Sequence, residues 1–289
     1  NALTSGFYAP TLKIAEMFYS ENGVPINEDK TYDYAGRYSL KMGDSNSRIY
    51  IREYYKTAGL HFNREPRFYA SLGFDGGIWY GQGRFDDSNP ERLLYVSSKK
   101  GEPASPVNQL FYSVTGYWPK KLVNFNNVIG INTYTIEQYP WPEIRLANLY
   151  LLYAEALNEI NGPSEDVYHW INLIRDRAGL KTVEESWENY SSNPTKYQSQ
   201  TGLREIIHRE RLIELVFEGQ RYWDLRRWKK CITELNKPIM GWDIAQEEAL
   251  YYYRPKVVFN QKFTTRDYLW PINDNELLSN KNINQNPGW

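Results

Sequence analysis

Residues 203–230 read LREIIHRERLIELVFEGQRYWDLRRWKK, and this block constrains the fold more than any other. At about 100° per residue, Leu203, Ile206, Ile207, Ile213, Val216 and Phe217 form one apolar arc of a helix. Glu210, Glu214 and Glu218 fall inside the same arc, where an amphipathic helix ordinarily carries aliphatic side chains. Leu212 and Leu215 point the other way, so both sides of the helix are expected to meet protein. Carboxylates in a mostly dry layer need cationic or hydrogen-bonding partners, because an unpaired buried charge is costly. Arg204, Arg209, Arg211, Arg221, Arg226 and Arg227 lie nearby, with Arg145, Arg175 and Arg177 upstream. The block therefore predicts a charged internal lattice within a helical scaffold.

A chain of 289 residues can hold one large domain or two small ones. With 41% hydrophobic and 24% charged residues, a true core is expected. A net charge of −1 with interspersed signs argues against binding that relies on neutralising nucleic-acid phosphates. No apolar run reaches membrane-spanning length. The single Cys231 excludes an internal disulfide and a CxxC metal or redox motif, and reads as a small buried thiol at a helix end. Aromatic content is high at 16%, led by 25 Tyr beside 10 Trp and 11 Phe. Such rings fill cores, and they also suit ligands that are apolar and polar together, such as saccharides.

The chain changes character near residue 140. Residues 1–140 combine a helix candidate at Thr11–Ser20, capped by Thr11, with Gly-, Asn- and Ser-rich stretches and short alternating runs at Arg48–Tyr54 and Leu93–Ser97. From Glu143 onward the helical period prevails. Ile144–Ile160 is apolar nearly all round and predicts a buried helix stopped at Asn161-Gly162-Pro163. Ser164 caps the next helix, with Glu165 and Asp166 in its first turn and Gly179 at its end, giving a helical hairpin. Glu184–Gly202 reads as a polar loop. Asn236–Asn260 is less regular, and the final segment reads as an irregular packed tail in which Trp270, Ile272 and Trp289 seek burial.

Catalytic and cofactor motifs are sparse. His61, His169 and His208 are scattered, with no HExxH, and read as structural. Asp44-Ser45-Asn46 and Asp86-Asp87-Ser88-Asn89 do not follow a calcium-loop pattern. Gly81-Gln82-Gly83 lacks the third glycine of a dinucleotide fingerprint. No metal site, cofactor or catalytic residue is assigned. Paired acids of a glycosidase could come from Asp75, Asp86, Asp87, Glu137 and Glu143, but spacing alone does not bring two of them across a cleft. The positive signal is aromatic clustering: Trp79 and Tyr80 sit between Gly76-Gly77 and Gly81-Gln82-Gly83, and Tyr117 and Trp118 lie in a second loop-like segment. An exposed Trp in a Gly-rich loop serves a ligand or pins the loop to the body, and both readings stand here. Asp75 and Arg84 would add hydrogen bonds to ligand hydroxyls. Trp223 and Trp228, at helical spacing in the 203–230 block, read as core.

The same block resembles a family hallmark. ERLIELVFEGQRYWDLRRW is similar to the C-terminal signature of the SusD/RagB family of surface nutrient-binding lipoproteins, matching at Arg211, Glu214, Leu215, Glu218, Gly219, Arg221, Tyr222, Asp224, Leu225, Arg226, Arg227 and Trp228. The tail YLWPINDNELLSNKNINQNPGW, the segment IRLANLYLLYAEALNEING (with Asn148 where the family usually has Glu) and NREPRFYASL resemble three further family blocks. The resemblance implies a mainly α, SusD-like fold with tetratricopeptide-type helical hairpins, long irregular loops and little β. It implies that residues 1–289 correspond to the C-terminal part of a longer SusD/RagB domain, with 1–140 as a loop-rich ligand-presenting region and 141–289 as helical scaffold and packed tail. The implied function is non-catalytic capture of a glycan or oligosaccharide at the outer-membrane surface. The implied partner is a SusC-like TonB-dependent transporter, and membrane attachment would come from an N-terminal lipid anchor outside this chain. The ligand contacts Trp79, Tyr80, Trp118, Tyr117, Asp75 and Arg84 come from loop chemistry and not from a family motif. A glycoside hydrolase and a protein-interaction module without glycan binding are the alternatives.

Overall fold

The computed structural model describes residues 8–79, 93–106, 112–121, 123–129, 134–138, 140 and 142–289. Ten α-helices and ten short strands run in the order α1 (Leu12–Met17), β1 (Leu40–Met42), β2 (Lys56–Ala58), α2 (Pro66–Ser71), β3 (Leu72–Phe74), β4 (Ile78–Trp79), β5 (Leu94–Tyr95), β6 (Tyr117–Pro119), β7 (Val128–Ile129), β8 (Tyr134–Thr135), α3 (Leu146–Asn161), α4 (Glu165–Arg177), α5 (Val183–Tyr190), α6 (Gln200–Glu214), α7 (Gln220–Arg227), α8 (Cys231–Leu235), β9 (Ile239–Trp242), α9 (Ala249–Tyr252), β10 (Pro255–Phe259) and α10 (Asp274–Ser279), these being the elements among the described residues. The strands form five separate antiparallel pairs, β1–β2, β3–β6, β4–β5, β7–β8 and β9–β10, so the architecture is mainly α with little β.

Local chemistry explains where helices start. Thr11, Ser164, Thr182 and Ser199 each accept a backbone N–H in the first turn of α1, α4, α5 and α6. Gly162, in a positive-φ conformation, ends α3, and Ser164 caps α4 two residues later, so the hairpin expected from the sequence is present. α3 packs against both α4 and α6. One core cluster joins the two halves of the chain, bringing Phe18, Leu60 and Phe68 together with Trp187, Leu203, Ile207, Trp242 and Tyr252.

Four expectations are corrected. Residues 184–202 are not a polar loop: Thr182 starts α5, whose Val183 and Trp187 are fully buried one helical turn apart. The alternating run 48–54 contributes only an isolated bridge from Ile51 to Gly77 instead of a strand. Helix α3 is not buried all round, because α4 and α6 cover only part of it; Leu149, Leu152, Tyr153 and Ile160 remain exposed. Finally, Trp223 is 58% exposed and Trp270 63% exposed, so neither is core. Trp228 is half-buried, stacked on the His208 ring at 3.4 Å. Trp289 is exposed but anchored, its Nε1 donating to the carbonyls of Arg266 and Leu269 while Arg266 lies over its ring.

The charged lattice is real and lies between α6 and the elements around it. Glu210, fully buried, accepts from Arg67 at 2.6 Å and Arg175 at 3.4 Å. Glu214 meets Arg67, Arg145 and Arg177, at 3.2, 2.9 and 2.6 Å. Glu218 meets Arg145 at 2.8 Å and Lys121 at 2.5 Å. Arg211 holds Asp224 of α7 through two hydrogen bonds and also reaches the Asn148 side chain. Arg227 forks onto Glu155 of α3, which also accepts from Trp228 Nε1. Arg226 reaches the backbone carbonyls of Asp267 and Tyr268 in the tail. Burial alone would raise the Glu214 carboxyl, but the hydrogen bond from Arg177 and the charges of Arg67, Arg177 and Lys121 outweigh it and bring it down to about 2. Arg204 pairs with Glu159 at the surface instead of in the lattice, and Arg209 and Arg221 form no ion pair among the described residues.

Candidate functional site

Gly73 stands at the centre of the aromatic site. Strand β3 pairs with β6 so that Gly73 lies opposite Trp118, and a turn after Phe74 brings β4 back with Trp79 at its end. A side chain at Gly73 would lie only 2.5 Å from the six-membered ring of Trp79 and 3.4 Å from Trp118 Cβ. The missing Cβ is therefore what lets the Trp79 ring settle over the strand beside Trp118. Both tryptophans are half-exposed, while their strand neighbours Tyr117, Pro119, Phe74 and Ile78 are buried. The alternation of a short strand explains this: Trp118 faces outward between two inward residues.

Two lysines fix these strands. Lys120 is buried, and its ammonium donates to the carbonyls of Tyr69 at 2.8 Å and Ile78 at 2.7 Å, tying the end of β6 to the residue before Trp79. Burial pushes its pKa down to about 7. Lys121 donates to the Glu214 carbonyl and pairs with Glu218, which fastens the same segment to the lattice around α6.

Asp75 and Tyr117, expected as ligand contacts, lie inside. Asp75 is 1% exposed and accepts from Tyr55, Tyr253, and the Ser98 backbone N–H, with Lys99 at 3.1 Å. Tyr117 is fully buried and its hydroxyl shares a 2.9 Å hydrogen bond with His61 Nε2. His61 Nδ1 meets Thr57 Oγ1, which in turn meets the Tyr253 hydroxyl bound to Asp75. A closed polar chain thus runs Asp75–Tyr253–Thr57–His61–Tyr117 beneath the strand carrying Trp118. Burial drives the His61 pKa well below its ordinary value, so the ring is neutral in this chain. Asp75 and Tyr117 are thus buried and hydrogen-bonded inside the protein and do not face solvent beside Trp118.

Tyr80 and Arg84 lie outside the described residues, as do Asp86 and Asp87. Of the remaining acids weighed for catalysis, Glu137 and Glu143 are exposed. Among the described residues no group of three His, Cys, Asp or Glu side chains could hold a metal ion, and no helix is long and apolar enough to cross a membrane. The structure adds what the sequence did not offer: Gly73 as the seat of the indole pair, and Lys120 as the tie between its two strands. A glycine opposite a strand tryptophan was the only available signal, and it requires knowing the register.

The model of the SusD family matches the chain over residues 1–289. SusD-like protein P2 of Formosa agariphila is 34% identical over 147 residues, a segment covering 50% of this chain and 25% of that protein. The solved structure of BT4246 superposes with a TM-score of 0.80 at 24% identity, covering 97% of this chain and 46% of that one. A protein of Bacteroides fragilis NCTC 9343 described as a SusD-like carbohydrate-binding protein gives a TM-score of 0.54 at 23% identity, over 95% of this chain and 48% of that one. The chain thus spans about half the length of these solved relatives.

Proposed function

The chain belongs to the SusD family, and on that premise we propose that it contributes to cell-surface capture of a glycan or its oligosaccharides through the paired indoles of Trp79 and Trp118. Capture is non-catalytic, and the ligand is handed to a SusC-like TonB-dependent transporter at the outer membrane. The observation that carries this reading is the half-exposed indole pair seated on Gly73, held by buried lysines and backed by a closed hydrogen-bond network. Rigid rings present flat apolar surface without losing side-chain entropy on binding, which suits the C–H face of a sugar ring. The shared fold with a relative described as carbohydrate-binding supports the same reading. Tyr80, next in sequence to Trp79, and Arg84, five residues after it, complete the proposed contact set.

Affinity electrophoresis and calorimetry against a glycan panel test the proposal. Covering about 55 Å² of one indole at about 25 cal/mol per Å² is worth about 1.4 kcal/mol, so Trp118→Ala and Trp79→Ala should each weaken binding roughly tenfold. The glycan should be recovered intact. Retention of no glycan, or equal retention by both variants, defeats the reading; release of shortened product defeats the non-catalytic part of it.

A further inference from the structure

Elements α1, α5, α6 and α7, none of which carries the indole pair, border a cleft of about 300 Å³. Six cationic side chains line it, from Lys13, Lys196, Arg209, Arg221, Lys230 and Lys237, against the carboxylates of Glu28, Glu205 and Glu234. Those three carboxylates are already engaged: Lys196 pairs with Glu28 at 2.8 Å and Glu205 at 3.1 Å, and Lys13 and Lys237 pair with Glu234 at 2.6 and 3.2 Å. Lys230 turns to the His208 ring. Arg209 donates only to the thioether of Met17, and Arg221 lies 5.7 Å from the centre of the Trp228 ring. Neither contact supplies a negative charge. Among the described residues, neither guanidinium forms an ion pair within 4 Å; Glu28 and Glu65 act on Arg209, and Glu234 and Asp224 on Arg221, only from farther away.

Hydrogen bonding shows the same deficit. The Tyr19 hydroxyl, Trp187 Nε1, His208 Nε2 and Arg209 Nε, all on residues that line this cleft, are shut off from solvent and have no hydrogen-bond partner. The Trp187 and Arg209 groups can only donate, so what this region lacks is an acceptor. Buried polar groups are rarely left in this state, and each costs free energy until it is satisfied. Burial lowers the pKa of both Arg209 and Arg221, a sign that water compensates them poorly. The volume exceeds what one inorganic ion fills, a water's share of liquid being about 30 Å³. The planar fork of a guanidinium matches a carboxylate through two parallel hydrogen bonds.

We propose that this cleft is a second binding site, which takes the carboxylate of a ligand of monosaccharide size, a sugar acid being the fitting chemical class. Arg209 and Arg221 grip the carboxylate. This site stands independently of glycan capture at Trp79 and Trp118.

Calorimetry and tryptophan fluorescence of the chain, titrated with glucuronate, glucose and inorganic sulfate, test the assignment, since Trp187 and Trp228 line the cleft. Glucuronate should bind saturably, glucose should be silent and sulfate should be weaker. Arg221→Gln, nearer the surface than Arg209, should weaken glucuronate at least tenfold while the circular dichroism spectrum and Tm stay close to the parent's. Arg209→Gln should do the same. Glucuronate binding no tighter than glucose, sulfate binding as tight as glucuronate, or an unchanged affinity in folded Arg221→Gln would each overturn the proposal.

Discussion

Replacing Glu214 by Gln isolates the worth of charge in the lattice. The amide keeps the shape and an acceptor oxygen but removes the negative charge facing Arg67, Arg145, Arg177 and Lys121. The Glu214 carboxyl falls from an ordinary value of 4.5 to about 2 in the folded chain. A depressed carboxylate contributes stability that is present above its unfolded pKa and is lost as pH falls through the folded one. By linkage, the ionised form is worth roughly 3 kcal/mol to folding at pH 7. The same linkage leaves roughly 1 kcal/mol at pH 3, where the unfolded carboxyl is already protonated and the folded one is not. Since the side chain is 3% exposed, solvent screening takes little from this figure. Urea unfolding of the parent and Glu214→Gln at pH 7 and pH 3 should therefore show a difference that shrinks by more than half on acidification. A loss below about 1 kcal/mol at pH 7, or one that is equal at both pH values, would refute the charge argument and leave only packing.

Gly73→Ala adds a Cβ within 2.5 Å of the Trp79 ring, so it should displace that ring and weaken glycan retention without deleting an aromatic; calorimetry on the folded variant checks it. Tyr117→Phe leaves buried His61 Nε2 without its partner and should cost about 1–3 kcal/mol in urea unfolding, with the Trp118 surface unchanged in composition. Thr182→Ala removes the cap that accepts from the Glu185 N–H and should cost about 1 kcal/mol, with amide exchange faster in 183–190 and unaffected in α3.

What was legible in the sequence is what depends on local periodicity. Glutamates in an apolar arc announce buried ion pairs wherever the arc packs, and Ser164 or Gly162 act within a few residues of themselves. The helix at 183–190 was hidden by its polar composition, although Thr182, the acids after it and the Val183–Trp187 spacing carried the signal. Exposure was less legible than helicity. The outer face of α3 is as apolar as its inner one, and only knowledge of its neighbours tells which face α4 and α6 cover. Asp75 and Tyr117 show the same limit: both are polar residues beside loop aromatics, yet partners from residues 55, 61, 98, 99 and 253 draw them inside.

The indole pair depends on still longer-range information, and the link between it and the hallmark helix follows from that. Trp118 and Trp79 both border Gly73 only because β3 and β6 pair with Gly73 opposite Trp118, a register that no local pattern encodes. Next to Trp118 in the chain come Pro119, Lys120 and Lys121, and the two lysines reach in different directions. Lys120 grips the carbonyl before Trp79, while Lys121 grips Glu214 and Glu218 of the 203–230 block. The carboxylates that first appear as a puzzle of burial thus hold one end of the strand that displays an aromatic ring. A strand of three residues has little pairing energy of its own, so its position must be imposed from outside. The lattice meets that need, because withdrawing Lys121 would leave the buried carboxylate of Glu218 short of one of its two cations. At the indole site, the contribution of the family hallmark to the proposed glycan binding is the fixed position of Trp118.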